Sequence, residues 1–140
     1  MILLDTNVIS EVMRPEPALA VIQWLNSVDS AMLHLSVISI GEIEYGLRCL
    51  PEGKRREDLE ARFADFVQRA FPMRVLAYDE QAARHYGAIM AERRHQGRPM
   101  SAPDGQIAAV ARSHDMAVAT RNLADFDGLG LDLINARDST

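Results

Sequence analysis

The chain is short of the features that mark secreted, membrane-spanning or nucleic-acid-coating proteins. It holds one cysteine, Cys49, in 140 residues. No internal disulfide framework is open to it, and a reducing cytoplasm is the expected setting. No segment approaches the roughly 18 uninterrupted apolar residues of a membrane helix. No basic stretch and apolar core precede the first predicted strand, so neither a secretion signal nor a membrane partner is expected. Positive charge is in deficit, with a formal net charge of −5. That argues against broad, non-specific nucleic-acid binding through a basic surface, though not against an enzyme whose acidic site holds divalent cations. Linkers, internal repeats and low-complexity tracts are missing too, so residues 1–140 read as one domain.

Other residues are present but uninformative. Cys49 falls on a predicted helix without an acid–base partner nearby in sequence, and reads as inert filler rather than a nucleophile. His34, His85, His95 and His114 are scattered without zinc-ligand spacing and read as structural or exposed. Basic clusters stand at Lys54-Arg55-Arg56 and at Arg93-Arg94-His95 with Arg98. They are either solvated faces or phosphate-steering patches.

What the sequence does have is an ordinary globular balance, 48% apolar and 25% charged, and a regular alternation of strands and helices. Met1 to Leu4 reads as a short buried strand. Asp5 ends it, and Thr6 is a good N-cap for a helix from Asn7 to Met13. A second helix, about Ala18 to Asn26, carries Val21, Trp24 and Leu25 on one face. With Val12, that face is also a candidate partner or dimer surface. Strands are predicted at Ala31–Leu35, Met73–Ala77, Ala117–Thr120 and Leu131–Asn135. Between them lie helices to about Leu50, at Arg55–Ala70, from Asp79 to Gln96, and at Pro103–His114. Residues from about Ala136 read as frayed. The pattern predicts an α/β fold, a three-layer α/β/α sandwich with a central, mainly parallel sheet of four or five strands.

Ligand sites in such sheets lie at the carboxyl edge of the strands. Asp5 is placed there by its strand, as is the turn holding Asn122 and Asp125. Glu42 closes the Ser-x-x-Glu pattern of Ser39-Ile40-Gly41-Glu42, a capping box, and joins the edge if its helix follows the second strand. Asp104 lies in the first turn of a helix opened by Pro103. Its place is less secure, because that helix follows another helix. Each acid alone has a plain reading as a stabiliser of a helix start, by about 0.3–1 kcal/mol. Together, converging carboxylates repel unless protons or cations intervene. An oxygen-only donor set favours hard ions such as Mg²⁺ or Mn²⁺.

Four segments carry a family likeness: Leu3-Leu4-Asp5-Thr6-Asn7-Val8-Ile9-Ser10-Glu11, Ser39-Ile40-Gly41-Glu42-Ile43 with Gly46, Ala102-Pro103-Asp104-Gly105-Gln106-Ile107-Ala108-Ala109, and Ala119-Thr120-Arg121-Asn122-Leu123-Ala124-Asp125-Phe126. In this order the chain resembles the PIN-domain ribonucleases, in particular the VapC and FitB-like toxins of type II toxin–antitoxin pairs. The resemblance implies a PIN-like fold and a Mg²⁺- or Mn²⁺-dependent endoribonuclease that cleaves RNA phosphodiesters with metal-activated water. Asp5, Glu42 and Asp104 are then the catalytic metal ligands. Thr6 and Thr120 match hydroxyl positions that orient the carboxylates or water, and Asn7 stands beside the site. A fourth acidic position of the family falls on Asn122, with Asp125 three residues on as a possible helper. Arg121 is a candidate for a substrate phosphate, against a surface salt bridge. A cognate antitoxin, operator DNA reached only through the antitoxin complex, and a homodimer are also implied. Two rivals stand beside this. A haloacid-dehalogenase-like phosphatase shares the strand ending in Asp but needs a second Asp where Asn7 stands. The other is a non-catalytic partner subunit of a DNA-binding antitoxin complex.

Overall fold

The computed structural model describes residues 1–137. The strands are β1 (Ile2–Leu4), β2 (Leu33–Ser36), β3 (Val75–Leu76), β4 (Ala117–Thr120) and β5 (Leu133–Asn135). The helices are α1 (Thr6–Val12), α2 (Leu19–Ser27), α3 (Val37–Arg48), α4 (Lys54–Ala70), α5 (Glu80–His95) and α6 (Ala102–Ser113). All strand pairs are parallel, in the order β3-β2-β1-β4-β5.

β1 lies between two hydrogen-bonded neighbours, which is why it is apolar throughout rather than alternating. Successive side chains on a strand face opposite ways. Leu3 and Val118 therefore enter one core, with Ile89 of α5 and Ile107 and Val110 of α6. Leu4 and Ala119 enter the other, with Val8, Trp24, Ile43 and Phe63 from α1 to α4. The result is the expected α/β/α sandwich. The first half of the chain winds outward from β1 to β3. The second half returns to the other side of β1. Crossovers between parallel strands keep one hand, so this reversal moves α5 and α6 to the opposite face. It also opens a crevice between the ends of β1 and β4. Behind that crevice α5 and α6 pack tightly. A Cβ on Gly105 would stand 2.5 Å from Met90 Sδ and 3.1 Å from Tyr86 Cε1.

Several boundaries differ from the sequence reading. Thr6 is not an N-cap: the chain leaves the sheet at Asp5, which occupies that position with extended dihedrals, and Thr6 is already helical. The Ser39-to-Glu42 capping box does not form. β2 runs to Ser36, whose Oγ accepts the Ile38 N–H at 3.0 Å and starts α3 there. Glu42 thus lies in the second turn. β3 is only two residues long, because Met73 takes a left-handed turn with φ 62°. Val21 and Trp24 are buried in the core and offer no partner surface, whereas Leu19 on the same helix is 68% exposed. Ala136 is buried rather than frayed; the remainder of that predicted tail, 138–140, lies outside the described residues. The basic cluster on α5 splits, since Arg93 is buried. Among the described residues, no helix is long and apolar enough to cross a membrane.

Phe63 anchors α4, the outermost helix of its layer, and is 1% exposed. Phe63→Ala is expected to lower stability by about 3–5 kcal/mol through the cavity it leaves, measured by urea unfolding.

Candidate active site

Two neighbouring strands end at the same point. Leu4 pairs with Ala119, and the Asp5 backbone N–H extends the ladder to the Ala119 carbonyl at 2.9 Å. Thr120 therefore stands beside Asp5, and its hydroxyl donates to Asp5 Oδ2 at 2.9 Å. That hydroxyl oxygen accepts the Asn122 N–H at 3.0 Å. Asn7 ties α1 to the same turn: its Nδ2 reaches Thr120 Oγ1 at 3.4 Å, and its Oδ1 accepts the Arg121 N–H at 3.3 Å.

Glu42 is brought in by α3. Thr6 Oγ1 donates to Glu42 Oε1 at 2.6 Å and, its proton so used, accepts from the Ser39 hydroxyl at 2.7 Å. Asp104 comes from the first turn of α6. Its backbone N–H is capped by Ser101 Oγ at 3.3 Å. Asp125 ends a short 3₁₀ turn, Leu123–Asp125. Buried Arg93 holds that turn by donating to the carbonyls of Ala124, Asp125 and Asp127.

Asp5, Thr6, Asn7, Glu42, Asp104, Arg121 and Asp125 line one pocket. Thr120 lies beneath it, against Asp5. Asn122 is exposed and is not on the pocket wall; it contributes its backbone N–H. Sequence reasoning missed Ser10, Glu11 and Arg14, which complete the wall. For Glu11 a signal existed. It follows buried Val8 by three residues, on the inner face of α1.

The wall holds more acid than base: Asp5, Glu11, Glu42, Asp104 and Asp125 against Arg14 and Arg121. Burial pushes the Asp5 carboxyl up to about 7, against the pull of the Thr120 hydroxyl, and the charges of Asp104 and Glu42 add to the rise. Burial also raises the Asp104 carboxyl, with Asp125 and Glu42 pushing the same way and Arg93 opposing. These groups are short of a cation. Among the described residues, no three acidic, histidine or cysteine side chains stand close enough to hold one ion by themselves. The donor set suits an ion that takes one or two carboxylates and fills its remaining positions with water, as Mg²⁺ does.

The PIN domain family model matches residues 2–129. The chain belongs to the PIN-domain family. VapC ribonuclease Y4jK of Sinorhizobium fredii is 42% identical over 135 residues, 96% of each chain. Toxin FitB of Neisseria gonorrhoeae is 40% identical over 126 residues, 90% of this chain and 91% of that one. The structure of FitAB bound to an IR36 DNA fragment has a TM-score of 0.90 at 38% identity, covering 98% of this chain and 96% of that one. The resemblance read from the four segments is thus borne out. Within that family the chain is similar to proteins named as VapC ribonucleases and as toxin FitB. The phosphatase rival loses its footing in both family and chemistry, since Asn7 is occupied in joining α1 to β4.

Folding raises the Asp5 pKa from 3.8 to about 7, so between those values the native chain holds a proton that the unfolded chain has released. The associated stability is complete below the lower value and is lost as pH rises through the upper one. Asp104 shifts in the same direction. In EDTA, the melting temperature is expected to fall from about pH 5 to about pH 8. Asp5→Asn, which keeps an acceptor for Thr120, should melt higher than wild type at the alkaline end and lose most of that slope. A flat wild-type profile would contradict the rise that burial and the neighbouring acids impose on Asp5.

Proposed function

We propose that this chain is a Mg²⁺- or Mn²⁺-dependent endoribonuclease, the toxin of a type II toxin–antitoxin pair, working as one PIN-like domain over residues 1–140. The observation that carries the reading is the buried Asp5 carboxylate, pressed by the charges of Asp104 and Glu42. Asp5 and Asp104 would hold the ion directly, and Glu42 directly or through water. When bound, such an ion acidifies a water and offsets charge on the scissile phosphate. The chain's own residues do the positioning. Thr120 fixes the Asp5 carboxylate through Oδ2, Thr6 fixes Glu42, and Asn7 ties α1 to the β4 turn. With Asn122 off the wall, Asp125 is the acid left to support a second ion, so one strongly held ion is the expected state. Hydrolysis in this arrangement leaves 5′-phosphate and 3′-hydroxyl ends.

The cognate antitoxin is proposed as the physiological partner, with operator DNA reached only through it. The similar FitAB structure, bound to DNA, supports this. In that complex the inhibited toxin acts as a partner subunit, so this role and the nuclease are compatible. A homodimer and a cytoplasmic setting complete the proposal.

The test is cleavage of RNA by the isolated chain with Mg²⁺ or Mn²⁺, with and without EDTA. EDTA should abolish cleavage. Asp5→Asn and Asp104→Asn should each lower the rate by at least about 100-fold while leaving the circular dichroism spectrum unchanged. Full activity in a folded Asp104→Asn chain would refute the ligand assignment.

A further inference from the structure

We infer that Glu11 is a positioning residue that presents Arg14 and Arg121 as a two-pronged grip for an RNA phosphate beside the cleaved bond. The inference rests on the ribonuclease reading above. The Glu11 side chain is 1% exposed. Its Oε1 accepts Arg121 Nη1 at 2.7 Å and Arg14 Nη1 at 3.2 Å, and its Oε2 accepts the Ala18 N–H at 2.8 Å. The Ala18 N–H, then Arg14 and Arg121, hold its carboxyl below the usual range, so it remains a fixed anion.

One carboxylate thus serves two guanidinium groups. The pair keeps an excess positive charge on the wall of an otherwise acidic pocket. The charges bearing on Asp5 are those of Asp104 and Glu42. Among the described residues, Arg121 donates its side chain only through Nη1 to Glu11. Its Nε is buried and without a hydrogen-bond partner. A buried unpaired N–H is unfavourable. Nη2, which donates to no group among the described residues, is the donor left for a phosphate oxygen. Arg14, whose side chain is 64% exposed, is the outer prong and can follow a strand entering the pocket. A carboxylate buried only for stability would have no need to hold an exposed arginine at the mouth of the site.

The test uses the full chain in an Asp104→Asn background, so that RNA is bound but not cut. Binding of fluorescein-labelled oligouridine is followed by anisotropy in EDTA, from about 50 to about 200 mM KCl, where each phosphate contact contributes about −0.7 to the slope of log K against log salt. Arg14→Gln and Arg121→Gln should each make that slope shallower by about 0.7. Glu11→Gln is the sharper probe. It removes a negative charge, which by charge alone would tighten RNA binding, and it keeps an acceptor for the Ala18 N–H. The grip predicts weaker binding and a shallower slope instead. Tighter or unchanged binding by Glu11→Gln, with unaltered slopes in both arginine variants, overturns the inference. Should Glu11→Gln fail to fold, the two arginine variants decide, and unaltered slopes in both overturn it. A chain with Asp104 intact that cleaves RNA while its slope ignores the arginines sinks only this inference. One that neither binds nor cleaves RNA sinks the ribonuclease reading itself.

Discussion

A carboxylate at the end of the central strand, 3% exposed to water, is the constraint from which the rest of the molecule follows. A charge so placed is unfavourable unless something compensates for it. Thr120 supplies one hydrogen bond, made possible because β1 and β4 run parallel in register. The other neighbours make matters worse: Asp104, Glu42 and, behind them, Asp125 are all acids. A fold selected for stability alone would place an amide or an apolar residue at position 5. The retained repulsion is the physical signature of a site meant to receive positive charge.

The sheet divides the labour. One layer, α1 to α4, carries Thr6, Asn7, Glu11 and Glu42. The other half of the chain carries Asp104, Thr120, Arg121 and Asp125. Each layer has its own apolar core, and the pocket lies on the seam between them. Polar groups bridge that seam at the pocket: Asn7 to the β4 turn, Thr120 to Asp5, and Arg121 to Glu11. The acids are therefore held by hydrogen-bonded supports on rigid elements rather than by loops. The exception is the turn ending in Asp125, and there buried Arg93 clamps the carbonyl groups of Ala124, Asp125 and Asp127.

The parts of this arrangement that were readable in the sequence are those fixed by local pattern. An apolar run stopped by Asp5 marked both the central strand and the site. The strand Ala117–Thr120 was found to the residue, because its apolar stretch is bounded by residues that fit only a turn. Glu42 was found as a site acid but given the wrong local role. Ser36 and Ser39 both satisfy a cap pattern, and only the length of β2 decides between them. Asp104 could not be placed with the same security, since its position depends on how α6 packs on α3 and α5. Glu11 carried a signal of burial, three residues after Val8, but not of its role. Its meaning comes from Arg121, 110 residues away in the chain, and no local rule reaches that far. Arg93 was read within a basic cluster, yet its task, gathering carbonyls of a turn some thirty residues on, belongs to tertiary structure.

The seam has a consequence during synthesis. On the ribosome, the portion of the chain up to β3 emerges first and carries Asp5, Thr6 and Glu42. It has neither Asp104 nor the strand that brings Thr120 alongside. The pocket closes only when β4 docks next to β1, one of the last pairings available to the growing polypeptide. On the proposed ribonuclease reading, the chain would stay inert for most of its own translation and acquire its chemistry only once its message has been read nearly to the end.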